Sequence, residues 1–149
     1  MIGLIVATHG KMSDGIVDAA HLIIGSTENI ETLNLIHGDD VQVLKEKMLD
    51  AIEAVNQNEG VIIFTDLFGA SPYNQATLAI HSLPQELKEK IFVLTGVNLP
   101  MLLEAISQRM IGSSVEAAVS SIMSEAQQSM VVWPNKEDAN VDDDEDDDF

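Results

Sequence analysis

The chain reads as an α/β domain: an open, doubly wound sheet of four parallel strands flanked by helices, with 2-1-3-4 as the expected strand order. Three observations lead there. Short, continuous apolar runs without alternation mark strands buried on both faces. Segments whose apolar residues recur every three or four positions follow the runs, and that spacing is the period of a helix. The composition, 46% hydrophobic but 4% aromatic over 149 residues, suits the aliphatic core of one domain rather than an all-β sandwich.

The elements follow in order. Residues 2–8 are the first strand, and His9 falls where it ends, with Gly10 allowing the backbone to turn sharply. Residues 13–24 form a helix with Ile16, Ala19, Ala20, Ile23 and Ile24 on one face and Gly25 as its stop. A second strand over 30–36 leads into a helix over 39–58, whose stripe of Val41, Leu44, Met48, Ile52 and Val55 is core, Met48 being ordinary filler. The third strand, 61–65, precedes a helix opened by Ser71 as N-cap and Pro72 as first helical residue. The fourth strand covers 91–95. A shorter helix over 99–109 follows, and then one running to Ala126 that starts at a capping box, Ser113-x-x-Glu116. That last helix has Val115, Ala118, Val119, Ile122 and Met123 on its apolar face. Residues 130–133, Met-Val-Val-Trp, read as a final apolar strand before Pro134.

Composition excludes several functions. With no cysteine there are no disulfides, thiolate metal sites or cysteine nucleophiles. The start of the chain has no basic region before its apolar run, and no run reaches the ~20 apolar residues that span a bilayer, so a cytoplasmic protein is expected. Of the net charge of −18, residues 137–148 hold nine acidic and no basic groups, leaving sixteen acidic against seven basic elsewhere, a body of −9. Nucleic acid and anionic membrane surfaces are thereby disfavoured, and a partner with a positive docking face is favoured. Residues 134–149 are expected to form a disordered acidic tail, for which a solubilising role is the simpler reading.

Three loops at the carboxyl ends of strands carry the chemistry, since that is where open α/β sheets bind ligands. They are Thr8-His9-Gly10-Lys11, then residues 65–72 (Thr-Asp-Leu-Phe-Gly-Ala-Ser-Pro), then residues 96–102 (Gly-Val-Asn-Leu-Pro-Met-Leu). If strands one and three are neighbours, His9 and Asp66 face each other where the winding reverses. A carboxylate bound to one imidazole nitrogen fixes the tautomer and leaves the other free as a nucleophile. Gly69, Ala70 and Ser71 lie at a helix N-terminus, where unpaired N–H groups and the helix dipole can hold phosphate. Together these parts fit a phosphohistidine intermediate. His37 shares the edge and is a weaker candidate for the rim. His21 and His81 fall within helices, where solvated roles are commoner. No metal site is expected: His9, His37 and Asp66 lack helical His-x-x-x-His or comparable spacing.

With these loops in place, the chain resembles the IIA component of the mannose family of the bacterial phosphoenolpyruvate:sugar phosphotransferase system (PTS). The matching stretches are residues 3–10, residues 66–74 (Asp-Leu-Phe-Gly-Ala-Ser-Pro-Tyr-Asn) and residues 96–102, and the likeness extends over about residues 1–133. The resemblance implies that His9 accepts a phosphoryl group from phospho-HPr and passes it to a histidine of a IIB component, which would be a separate protein. It implies that Asp66 orients His9, and that Gly69, Ala70 and Ser71 lie near the phosphate. It assigns docking contacts to Phe68, Lys11 and Asn98. It further implies a homodimer that exchanges residues 130–133 as edge strands, serves a membrane permease complex and needs no cofactor. Ala70 stands where a second glycine is common in the family, which is tolerable unless that position needs positive φ. The resemblance assigns no sugar, because specificity in such systems lies in the IIB and membrane components.

The alternatives fit less well. A receiver-type module, regulated by phosphorylation without turnover, would use Asp66 as acceptor but needs an acidic pair after the first strand, where this chain has His9-Gly10. A histidine phosphatase or mutase would carry Arg-His-Gly there, whereas Thr8 precedes the histidine. The single arginine, Arg109, cannot build an arginine-lined phosphate pocket.

Overall fold

The computed structural model describes residues 1–135 and 137. Its four strands are β1 (Gly3–His9), β2 (Ile30–Leu35), β3 (Val61–Thr65) and β4 (Ile91–Leu94). They form one parallel sheet in the order β2-β1-β3-β4, as expected. β1 is central, with Ala7 opposite Thr65 of β3 and His9 opposite Leu35 of β2. The helices are α1 (Met12–Ile24), α2 (Val41–Val55), α3 (Ser71–His81), α4 (Gln85–Lys88), α5 (Leu99–Met110) and α6 (Val115–Gln128).

Alternate strand residues face opposite sides, and each side has its own core. Leu4, Val6, Ile62 and Phe64 pack with Met101, Leu102, Ala118 and Ile122 under α1, α5 and α6. Ile5, Ala7, Val61 and Ile63 pack with Met48, Ile52, Val55 and Ala76 under α2 and α3. The α2 stripe is buried at Leu44, Met48, Ile52 and Val55. Asp40 caps that helix by accepting from the Gln42 N–H, so it begins two residues later than expected.

Several expectations are corrected. Residues 130–133 form no strand; Met130, Val131, Val132 and Trp133 are 73, 76, 71 and 80% exposed and pair with neither edge of the sheet, β2 or β4. Ser71 is already helical and Ala70 occupies the N-cap position, one residue earlier than expected. The α6 cap is Ser114, whose hydroxyl accepts from the Ala117 N–H, because the Ser113 hydroxyl donates to Gln108 Oε1 instead. On α1, Ile23 is exposed and Val17 packs inward in its place. The short helix α4 was not foreseen. The expected acidic tail lies mostly outside the described residues.

Candidate functional site

His9 is the last residue of β1, and Asp66 is the first residue after β3, so adjacent central strands deliver both to one point of the sheet edge. Asp66 Oδ2 accepts from the His9 backbone N–H at 3.0 Å and lies 2.8 Å from His9 Nδ1. Its second oxygen accepts from the Leu67 N–H at 3.0 Å. The carboxylate is thus held at both oxygens and is 13% exposed, while the His9 side chain is 45% exposed. Burial pushes the Asp66 carboxyl upward, but the His9 N–H, the facing imidazole and Asp66's own backbone N–H outweigh it and hold the carboxyl below its ordinary value. An ionised carboxylate only accepts hydrogen bonds, so in the neutral ring Nδ1 carries the proton and Nε2 keeps its lone pair.

The loop after His9 is fixed from both sides. Gly10 has φ +60, a conformation costly for residues with a Cβ, and its N–H donates to Leu35 O at 2.8 Å. Thr8 Oγ1, fully buried, accepts from the Ser13 N–H at 2.9 Å and so caps α1 from outside the helix. Ser13 donates to Asn34 Oδ1, and Asp14 accepts from Thr32 and Asn34 at 2.7 and 2.6 Å, tying the first turn of α1 to β2. This network was not foreseen; the clustering of small polar residues at 8, 13, 14, 32 and 34 was its only trace in the sequence.

Gly69, Ala70 and Ser71 lead into α3 beside this pair. Gly69 takes φ +75, and Asn74 Nδ2 donates to its carbonyl at 2.9 Å. Ala70 has φ −85, so this position needs no positive φ and an alanine is accommodated. Because Ala70 has no polar side chain, α3 lacks the side-chain cap found at α2, α5 and α6. The first N–H groups of a helix have no partners within it, and at α3 no side chain of the cap residue accepts one, while the Ala70 N–H itself donates to Leu67 O at 3.4 Å.

The remaining predicted residues are placed as follows. Phe68 is 78% exposed and rests on Tyr73, ring centroids 5.0 Å apart. Leu67, Met12 and Ile36, one to three residues past strand ends, are exposed and were missed by the sequence reading; apolar residues soon after strand ends were the available signal. Lys11 is exposed at the N-cap of α1. Asn98 accepts from the Met101 N–H at 3.0 Å and caps α5, a role that the Asn-Leu-Pro sequence could have signalled. His37 lies in the turn two residues beyond Leu35 with no bond to His9 or Asp66 among the described residues, and His21 and His81 are exposed in the last turns of α1 and α3.

The sequence matches the family described as EIIA-man, PTS system fructose IIA component, over residues 3–123. The chain belongs to this family of PTS IIA components. It is similar to the PTS system fructose-specific EIIA component of Bacillus subtilis (strain 168), 30% identical over 109 residues, 73% of this chain and 71% of that protein. It is 29% identical over 108 residues to the PTS system mannose-specific EIIAB component of Escherichia coli (strain K12); that match covers 72% of this chain but only 32% of the longer relative. The crystal structure of phosphotransferase system component EIIA from Streptococcus agalactiae superposes with a TM-score of 0.78 at 28% identity, covering 89% of this chain and 98% of that one. Among the described residues, no helix of this PTS IIA chain is long and apolar enough to cross a membrane.

Proposed function

We propose that the chain is a phosphoryl carrier: His9 Nε2 accepts a phosphoryl group from phospho-HPr and passes it to a histidine of a IIB component in sugar uptake. The observation that carries this reading is the 2.8 Å bond from His9 Nδ1 to Asp66 Oδ2, which supports Nε2 as the free nucleophile at the exposed edge of a PTS IIA domain. In the forward step the Nε2 lone pair attacks phosphorus. The donor's N–P bond breaks, and its electron pair returns to the donor imidazole. The proton on Nδ1 stays in place, so His9 becomes a phosphorylated imidazolium, and the Asp66 carboxylate balances the new positive charge. Phosphoryl oxygens would be met by the uncapped N-terminus of α3, at Gly69, Ala70 and Ser71. The return step reverses these movements toward IIB. Positioning and charge stabilisation suffice, since one imidazole replaces another.

Docking in this reading uses Phe68 and Lys11, with Asn98 at the flank, against partners that present positive rims to an acidic body. The encounters take place in the cytoplasm, where the carrier serves a membrane permease complex. The working form is a homodimer in which residues 130–133 pair with the partner's sheet; the support is four consecutive exposed apolar residues together with an edge strand, β4, that is unpaired on one side among the described residues. Deleting residues 130–149 should then halve the mass measured by light scattering, and an unchanged mass would remove that assignment.

The carrier role is tested by intact-protein mass spectrometry after incubation with phosphoenolpyruvate, enzyme I and HPr. One acid-labile phosphoryl group is expected on the wild type and none on His9→Ala. Uptake that survives His9→Ala would overturn the assignment.

A further inference from the structure

We propose that the groove between α2 and α4 is a docking site for a basic amphipathic helix of a partner protein. Two adjoining clefts of about 470 and 540 Å³ share Asn56 and Leu87 in their walls. Their floor is apolar: Leu49, Leu83 and Leu87 are half-buried, packed on the core beneath α2 and α3. Their rims are acidic, with Asp50 and Glu53 on α2, Glu86 on α4 and Glu89 just after it, against one cation, Lys90.

On the α2 rim the placement of the charges opposes local stability, whereas Glu86 lies in the first turn of α4 and Glu89 accepts from Gln85. Asp50 and Glu53 lie near the C-terminal end of α2, where the helix dipole is negative, and no basic residue occupies its last turn. The Glu86 and Glu89 side of the groove adds charge of the same sign. A helix with a leucine stripe and lysine or arginine on both flanks would cover the floor and neutralise both rims at once. A polyanion would be repelled. The groove lies where the strands begin, with Gly60 in its wall just before β3, and so at the opposite end of the sheet from His9. An occupant there leaves the His9 edge uncovered.

The test titrates the isotope-labelled full chain with a synthetic helix carrying a leucine stripe and lysine flanks, read by amide chemical shifts. Shifts are expected at the end of α2 and over residues 83–90. The double variant Asp50→Lys, Glu53→Lys should bind about tenfold more weakly or worse, yet melt at a higher temperature in low salt because cations replace anions near the negative end of α2. Its phosphoryl uptake should equal that of the wild type. Absent binding, shifts confined to the acidic residues beyond 137, or unchanged affinity in the double variant would each overturn the proposal. A lowered melting temperature would do so too, by making the carboxylates structural.

Discussion

Replacing Asp66 by asparagine separates the carboxylate's charge from its shape. Two oxygens at this site accept three donors: Oδ2 takes the His9 N–H at 3.0 Å and Nδ1 at 2.8 Å, and Oδ1 takes the Leu67 N–H at 3.0 Å. An amide has one oxygen, so either orientation fails somewhere. With oxygen toward His9, the amide N–H₂ confronts the Leu67 N–H. With N–H₂ toward His9, it donates to Nδ1 and drives the proton to Nε2, which removes the nucleophilic lone pair. In both orientations the negative charge facing the phosphorylated imidazolium is lost. A hydrogen bond to a charged group contributes about 1.5–3 kcal/mol, which corresponds to a transfer rate about 10- to 150-fold slower. Rapid-quench transfer from radiolabelled phospho-HPr measures this directly, with circular dichroism confirming the fold. A rate within about twofold of wild type would refute the claim that Asp66 sets the tautomer and balances the charge.

Further outcomes follow from the same structure. Because the Asp66 carboxyl is held below its ordinary value of 3.8, it contributes stability above that pH and loses it as pH falls toward its folded value. Urea denaturation of Asp66→Asn should therefore show a shallower loss of stability below pH 3.8 than wild type, and identical slopes would contradict the linkage. Met48→Ala, at a fully buried position of α2, should lower stability by about 2–5 kcal/mol while leaving phosphoryl uptake on the folded fraction unchanged. Deleting residues 137–149 should leave transfer from phospho-HPr nearly as fast as in the full chain; a large loss would make that segment a docking element.

The sheet was legible because β1, β3 and β4 are apolar runs with few alternatives, whereas β2, with Glu31, Thr32 and Asn34 between its apolar residues, is a part-exposed edge strand. His9 and Asp66 were legible as a pair for a topological reason: a 2-1-3-4 order makes the ends of β1 and β3 neighbours. Finer features depended on choices that local pattern does not resolve. Ser113 and Ser114 are equivalent as caps by residue type, and the tertiary bond from Ser113 to Gln108 decides between them. Ser71 follows a good cap pattern, yet the extended backbone at Ala70 starts the helix one residue early. Residues 130–133 have strand composition, but a strand needs an edge, and the edge is information from elsewhere in the assembly or chain. Asn98 was assigned to docking by the family resemblance; its oxygen is committed to the start of α5.

The central claim, that Asp66 holds Nδ1 so that Nε2 carries the phosphoryl group, is tested most directly by phosphorus–nitrogen correlation NMR on the phosphorylated chain with nitrogen-labelled histidine. The account predicts phosphorus coupled to Nε2 of His9, with Nδ1 of the same ring protonated. Coupling to Nδ1, or to His37 or any other histidine, would contradict it.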